Sequence, residues 1–206
     1  VIPSIAIPAL PCGNFSSVVK IIEKVGGKAR IVTRPEELGD FQKVIIAGVG
    51  AFDHGMSSIN SGGWLGALNS FAITRRRPIL GICLGMQLLC KRSEEGALPG
   101  LGWIDADVVK FRFDPGSSLK IPHMGWNTLR VQKPNPLVPV EEGEQRFYFV
   151  HSYHAVCRDP VDVLATAHHG YEVTAALSRG NVMGVQFHPE KSHRFGMALM
   201  RRFVEL

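Results

Sequence analysis

Pro78-Ile79-Leu80-Gly81-Ile82-Cys83-Leu84-Gly85-Met86-Gln87-Leu88-Leu89-Cys90 is the stretch on which the fold turns. Residues 78–82 are a continuous apolar run of strand length and residues 86–90 have the composition of a helix, so a strand passes directly into a helix at Cys83. So sharp a turn holds its central residue in strained backbone geometry, which the flanking glycines tolerate because they carry no Cβ. The thiol is then expected at the carboxyl edge of a sheet. Unpaired N–H groups and the positive end of the following helix would favour thiolate over thiol there, and the same N–H groups suit an oxyanion. Cys83 is the candidate nucleophile.

Working outward, the first hundred residues alternate apolar runs with amphipathic ones, the signature of βαβ units and a largely parallel sheet. Strands are predicted at 2–7, 28–33, 43–47 and 78–82. Between the first two, Val18, Ile21, Ile22 and Val25 recur at helical spacing, which predicts a helix over 14–25 stopped by Gly26-Gly27. After about residue 103 the pattern changes to short β-rich runs, at 105–111, 127–132, 146–150, 163–167, 173–178 and 181–186, read as antiparallel strands. A final helix follows, with Ser192 as its cap and Phe195, Leu199, Phe203 and Leu206 on one face. There are no internal repeats, and the nearest thing to a linker is Phe113 to Lys120. The reading is one domain over 1–206: an open α/β structure with helices on both faces of a mostly parallel sheet and an antiparallel β extension.

The whole-chain properties narrow the function. With 206 residues, 45% hydrophobic and 20% charged, the chain can bury a full core, and no apolar stretch is long enough to cross a bilayer, so no membrane partner is expected. Val1 to Ile7 is apolar but lacks a basic n-region, so it reads as a first strand and not a signal peptide. The four cysteines, Cys12, Cys83, Cys90 and Cys157, form no C-x-x-C pair, which argues against a zinc site or a disulfide framework and suits a reducing cytoplasm. The net charge of +5 sits in short clusters such as Arg75-Arg76-Arg77 without interleaved aromatics. That pattern favours a phosphorylated metabolite or an acidic partner surface over nucleic acid.

A nucleophilic cysteine needs a base and a group that orients the base. Gln186-Phe187-His188-Pro189-Glu190-Lys191-Ser192 offers both, just past the apolar run 182–185, where α/β sheets carry their sites. Pro189 stiffens the backbone around His188 and Glu190, and Glu190 can fix the imidazole tautomer. The blander alternative is a packed histidine beside a surface carboxylate. Gly48-Val49-Gly50 follows another apolar run and lets backbone N–H groups approach a ligand closely. The chain has neither G-x-x-x-x-G-K-[ST] nor G-x-G-x-x-G at a first βα turn, which disfavours a nucleotide fold; no cofactor and no metal are expected.

GICLGMQLL at 81–89, GVQFHPEKS at 184–192, GVGAF at 48–52 and PHMGWN at 122–127, supported by FYFVHSY at 147–153 and SEEG at 93–96, resemble the class I glutamine amidotransferases over nearly the whole chain. The resemblance implies a flavodoxin-like sheet and a Cys83-His188-Glu190 triad that hydrolyses L-glutamine through a glutamyl thioester. It further implies oxyanion contacts at Val49 and Leu84, and substrate contacts from Gly50, Gln87, Ser152 and Tyr153. The motifs are most similar to a branch whose ammonia passes to a barrel-shaped cyclase partner in a heterodimer. There it builds an imidazole ring in histidine biosynthesis, with Trp126, Tyr148 and Lys191 facing the partner. The alternatives left open are a paralogous subunit supplying ammonia for sugar amination in surface polysaccharide synthesis, and a non-enzymatic partner-binding subunit.

Two departures from the family pattern stand out. Only Gly13-Asn14 survives of the usual Asp-Tyr-Gly-x-Gly-Asn, and Pro3, Pro8 and Pro11 are expected to interrupt the first strand's ladder. Ala47 stands where the oxyanion loop usually begins with proline, which leaves that loop freer to flip a peptide.

Overall fold

The computed structural model describes residues 3–11, 13, 15–140 and 143–206. Val1, Ile2, Cys12 and Asn14, and with them the predicted starts of the first strand and first helix, lie outside the described residues.

Five parallel strands make the larger part of an eight-stranded sheet: β1 (Ser4–Pro8), β2 (Lys28–Val32), β3 (Lys43–Gly48), β4 (Ile79–Cys83) and β13 (Val182–Val185). Their spatial order is β2-β1-β3-β4-β13. The sheet continues antiparallel through β12 (Tyr171–Arg179), β11 (Val163–His169) and the short β8 (Arg130–Val131). Two smaller ladders stand beside it. One joins β10 (Tyr153–Cys157), β6 (Ala106–Lys110) and β5 (Arg92–Ser93); the other joins β7 (His123–Thr128) and β9 (Arg146–His151). The parallel sheet with its antiparallel extension is as predicted, except that 181–186, expected among the antiparallel runs, supplies β13, which pairs parallel with β4 and antiparallel only with β12.

The apolar runs are continuous because both faces of the sheet are covered. In β3, Val44 and Ile46 pack with Phe52, Met56 and Ile59 of α2 (Phe52–Ser61) and Trp64 and Leu68 of α3 (Trp64–Asn69). The alternating Ile45 and Ala47 pack with Val18 and Ile22 of α1 (Phe15–Lys24) and Leu199 and Phe203 of α5 (His193–Glu205). Each fully buried isoleucine of β3 stabilises by about 1.5–3 kcal/mol. Gly26 ends α1 at φ +88°, with the N–H of Gly27 donating to Ile22 and that of Gly26 to Glu23, a double closure of the helix's last carbonyls. Among the described residues no helix is long and apolar enough to cross a membrane.

Several expectations need correction. The 127–132 strand is two strands, β7 and β8, broken at Leu129, where the chain leaves the β9 ladder and joins β11. Pro122 and Gly125 read as turn signals and hid the start of β7. β10 went unpredicted; its partner β6 supplies what its own pattern lacks. In α5 the buried stripe is Gly196, Leu199, Met200, Phe203 and Val204, whereas Leu206 is exposed. Ser192 precedes α5 without capping it by its side chain, which is engaged elsewhere.

The first-strand ladder is interrupted on one side only. β1 pairs with β2 throughout, from Ser4 opposite Lys28 to Pro8 opposite Val32. Against β3 the pairing stops at Ala6 opposite Val44. The Ala9 N–H donates to Val32 on the β2 side, so by alternation Pro8 turns its missing donor toward β3, where the next ladder bond would have needed it.

Candidate active site

Three neighbouring parallel strands deliver the site from their carboxyl ends. β4 ends in Cys83, β3 runs alongside with Gly48 opposite Cys83 and leads into Val49 and Gly50, and β13 on the other side leads into Gln186 to His188. Cys83 has φ +54° and ψ −112°, a region that side-chain-bearing residues rarely occupy, at a cost on the order of 1–3 kcal/mol. The adjacent glycines make this possible by close approach. A Cβ on Gly85 would sit 1.7 Å from the Ile46 carbonyl oxygen, and one on Gly81 would sit 2.6 Å from that of Gly85. The one-turn helix α4 (Leu84–Leu88) begins at the next residue, so the Leu84 N–H has no intrahelical partner.

His188 is held at backbone and ring. Its N–H donates to the Tyr148 carbonyl at 2.9 Å. Ser192 Oγ donates to the His188 carbonyl at 2.6 Å and accepts the Tyr148 N–H at 3.0 Å, tying the loop to β9. On the ring, Nδ1 donates to Glu190 Oε1 at 2.7 Å, with both side chains buried. Nε2 has no hydrogen-bond partner of ordinary geometry. Burial is the largest influence on this imidazole and opposes its charge; Cys83 and Glu190 together outweigh it and raise the pKa to about 9. The other described cysteines are packed thiols: burial pushes Cys90 far up and Cys157 up to about 11.

A cavity of about 480 Å³ opens in front of Cys83. Val49, Gly50, Leu84, Gln87, Ser152, Tyr153, His188 and Lys191 all line it, so the structure brings together nearly every predicted site residue. Glu190 stands behind the ring of His188. Gly50 has φ +104° with open space where a Cβ would be. Trp126 lies opposite Tyr148 in the β7–β9 ladder, with ring centroids 6.4 Å apart, and Lys191 Nζ lies 5.8 Å from the Tyr148 ring centroid. Trp126 is 42% exposed, so it is not a core aromatic. It stacks on His193 at 5.5 Å.

Sequence reasoning missed Gln186, His151 and Glu95. Gln186 Nε2 points at Cys83 Sγ at 3.8 Å, and its Oε1 accepts from Gln87 Nε2 at 3.1 Å. The signal was available, since Gln186 is an amide directly following the apolar run 182–185, and the structure buries it wholly. His151 and Glu95 line the cavity within phrases noted only for their resemblance. Among the described residues no group of three or more His, Cys, Asp or Glu side chains could hold a metal ion.

A strained cysteine at the carboxyl edge of a doubly covered parallel sheet, facing a carboxylate-oriented imidazole, is an arrangement able to carry out thiol-dependent acyl transfer. The sequence profile named glutamine amidotransferase class-I matches residues 18–206, and the chain belongs to that family of glutamine amidotransferase enzymes. Within it, the chain is similar to imidazole glycerol phosphate synthase subunit HisH 2 of Pseudomonas aeruginosa strain PAO1, with 47% identity over 94% of this chain and 95% of the relative. It is also similar to subunit HisH 2 of Methanococcus maripaludis, with 45% identity over 98% of each, and to HisH of Leptospira borgpetersenii, with 43% identity over 94% and 96%. Among solved structures, a protein described as a GMP synthase subunit from Thermoplasma acidophilum superposes with TM-score 0.73 at 19% identity, covering all of this chain and 94% of that one. PurLQS from Thermotoga maritima gives 0.71 at 21% over 98% and 96%. At those identities the likeness shows the fold.

Proposed function

We infer that this chain is the glutaminase subunit of an imidazole glycerol phosphate synthase, hydrolysing L-glutamine to glutamate and ammonia for histidine biosynthesis. The observation that carries the mechanism is the buried His188–Glu190 bond at 2.7 Å beside Cys83 on its strained turn. The thiolate of Cys83 attacks the side-chain amide carbon of glutamine. Charge developing on the amide oxygen is met by the Leu84 N–H and the backbone at Val49. His188, protonated at neutral pH, gives its proton to the departing nitrogen, and ammonia leaves with a glutamyl thioester on Sγ. His188 then takes a proton from water, whose oxygen attacks the thioester and frees glutamate. Glu190 keeps the ring in one tautomer throughout.

Gly50, Gln87, Ser152 and Tyr153 hold the substrate, and Glu95, a carboxylate on the cavity wall whose Oε2 accepts the Phe52 N–H at 2.9 Å, offers negative charge to the glutamine ammonium. Trp126, Tyr148 and Lys191 form the patch that meets a barrel-shaped cyclase, so the ammonia passes across that contact without exposure to solvent. We place the chain, as one domain, in the cytoplasm with no nucleic-acid or membrane partner. The three sequence relatives above are each named as subunits of this synthase, so the sugar-amination branch is not favoured. The test is a glutaminase assay of the purified chain alone and with each candidate partner: the histidine-pathway cyclase is expected to stimulate it and a sugar-amidating synthase is not. Failure of a glutamine-analogue electrophile to label Cys83 in the stimulated complex would overturn the reading.

A further inference from the structure

His151 lines the cavity and His123 is its partner on the adjacent strand; they are 6% and 4% exposed, and the thioester chemistry above does not use either. Their hydrogen bonds have only one consistent direction. The Tyr153 carbonyl can only accept, so His151 Nδ1, 2.8 Å away, carries the proton and its Nε2 is a lone pair. His123 Nδ1, 2.9 Å from that Nε2, must then donate, which makes His123 Nε2 the acceptor for Asn127 Nδ2 at 3.1 Å. The Asn127 amide is itself fixed, because Oδ1 accepts the Thr128 N–H and Nδ2 also donates to the His168 carbonyl.

A second arm reaches the same carbonyl from the nucleophile. Gln87 Nε2 donates one hydrogen to Tyr153 O and the other to Gln186 Oε1, each at 3.1 Å, and Gln186 Nε2 points at Cys83 Sγ. With both N–H groups of Gln87 committed, its Oε1 is the atom it turns to a ligand. A rotated amide would set Oε1 against the Tyr153 carbonyl, acceptor on acceptor.

We propose that His123 and His151 are positioning residues for glutamine binding: a relay of two neutral, tautomer-locked imidazoles anchored by Asn127 holds the Tyr153 carbonyl in place, and that carbonyl fixes the Gln87 amide with Oε1 toward the substrate. The setting keeps both rings neutral. Phe111 and Phe149 pack against them, and among the described residues the titratable groups facing them are His154 and His169, with no carboxylate acting on either ring. Glu94 acts on His154 instead, and Tyr171 OH is bonded to His154. Burial accordingly draws His123 down to about 4 and His151 down to about 3. The relay begins at Asn127, next to the exposed Trp126, so the substrate-binding amide is wired to the patch assigned to the partner.

This inference rests on the glutaminase reading, and the experiment separates the two. In the complex with the cyclase, His151→Phe, which cannot donate to Tyr153, is expected to raise KM for glutamine about tenfold with a smaller change in kcat. His151→Asn, whose amide reaches the Nδ1 position, is expected to stay within about twofold of wild type. A wild-type KM in His151→Phe, or equal impairment of the two variants, would overturn the relay. If His151→Phe does not fold, His123→Phe against His123→Asn asks the same question one bond further out. Nitrogen-15 spectra of the unsubstituted chain give a readout independent of turnover: both rings are expected neutral with the proton on Nδ1 at pH 6. An Nε2–H tautomer at either ring would sink the relay whatever the kinetics, whereas a wild-type complex without glutaminase activity would defeat the functional reading and leave the tautomer result standing.

Discussion

His188 and His151 face the same cavity, are comparably buried, and are driven in opposite directions: the first up to about 9, the second down to about 3. Burial acts against the charged ring in both. The difference is the company each keeps. His188 has the Glu190 carboxylate at 2.7 Å and the Cys83 sulfur before it, whereas His151 has a neutral histidine on one nitrogen and a backbone carbonyl on the other. The Cys83 sulfur and a carboxylate two residues along the chain together turn a buried imidazole into a proton donor; without such partners, the same imidazole is a fixed polar strut.

The strongest way to break the contrast is Glu190→Gln. It keeps the shape and removes the charge, so the His188 pKa should fall and kcat for glutamine hydrolysis in the complex should drop by about 10²–10⁴. Rates within a few-fold of wild type, with His188 still titrating near 9 by NMR, would mean that Glu190 is not what orients and charges the ring.

Next in size is the pH dependence of stability. His188 is raised above its unfolded value of 6.5, so its contribution is complete below pH 6.5 and is lost as pH rises through about 9. His123 and His151 are depressed, so theirs is complete above pH 6.5 and is lost as pH falls toward about 4 and about 3. Urea melts from pH 4 to 9.5 should therefore peak near pH 6.5. His188→Ala should flatten the alkaline limb and leave the acid limb. An alkaline limb of unchanged slope in that variant would remove His188 as its source.

The smallest effect is expected at Ala47. By alternation from Val44, whose N–H donates to Pro78 on the β4 side, the Ala47 N–H turns toward β1, beyond the point where that ladder stops at Ala6. Proline there lies past the last paired position of that ladder, so Ala47→Pro should shift stability by only about 0.5 kcal/mol. By stiffening the loop into Val49 and Gly50 it should lower basal glutaminase a few-fold and spare the partner-stimulated rate. Equal rates in both states would show that Ala47 leaves the oxyanion loop no freer than proline does.

The legible part of the molecule is the part where local pattern and chemistry coincide. The parallel strands, α1 with its glycine stop and the turn at Cys83 follow from apolar runs, helical spacing and glycine placement. His188 and Glu190 follow from the stiffness of a His-Pro-Glu segment just past a strand. The glycines beside Cys83 act as their placement suggests: Cys83 itself takes the positive φ, and Gly81 and Gly85, lacking a Cβ, make room for backbone crossing at close range. β10, the break at Leu129 and the side-chain role of Ser192 were not legible, because each is set by a partner strand or loop distant in sequence.

The sequence by itself determined which residues are candidates for the reaction and on what kind of sheet they stand, because strand, helix and elbow are written in spacings of a few residues. Only the tertiary structure decided which histidines are charged and which neutral, which way the Gln87 amide faces, and that Trp126 is exposed. Those depend on atoms brought within about 3 Å from segments far apart in the chain, where burial and hydrogen-bond direction, not residue type, fix the chemistry.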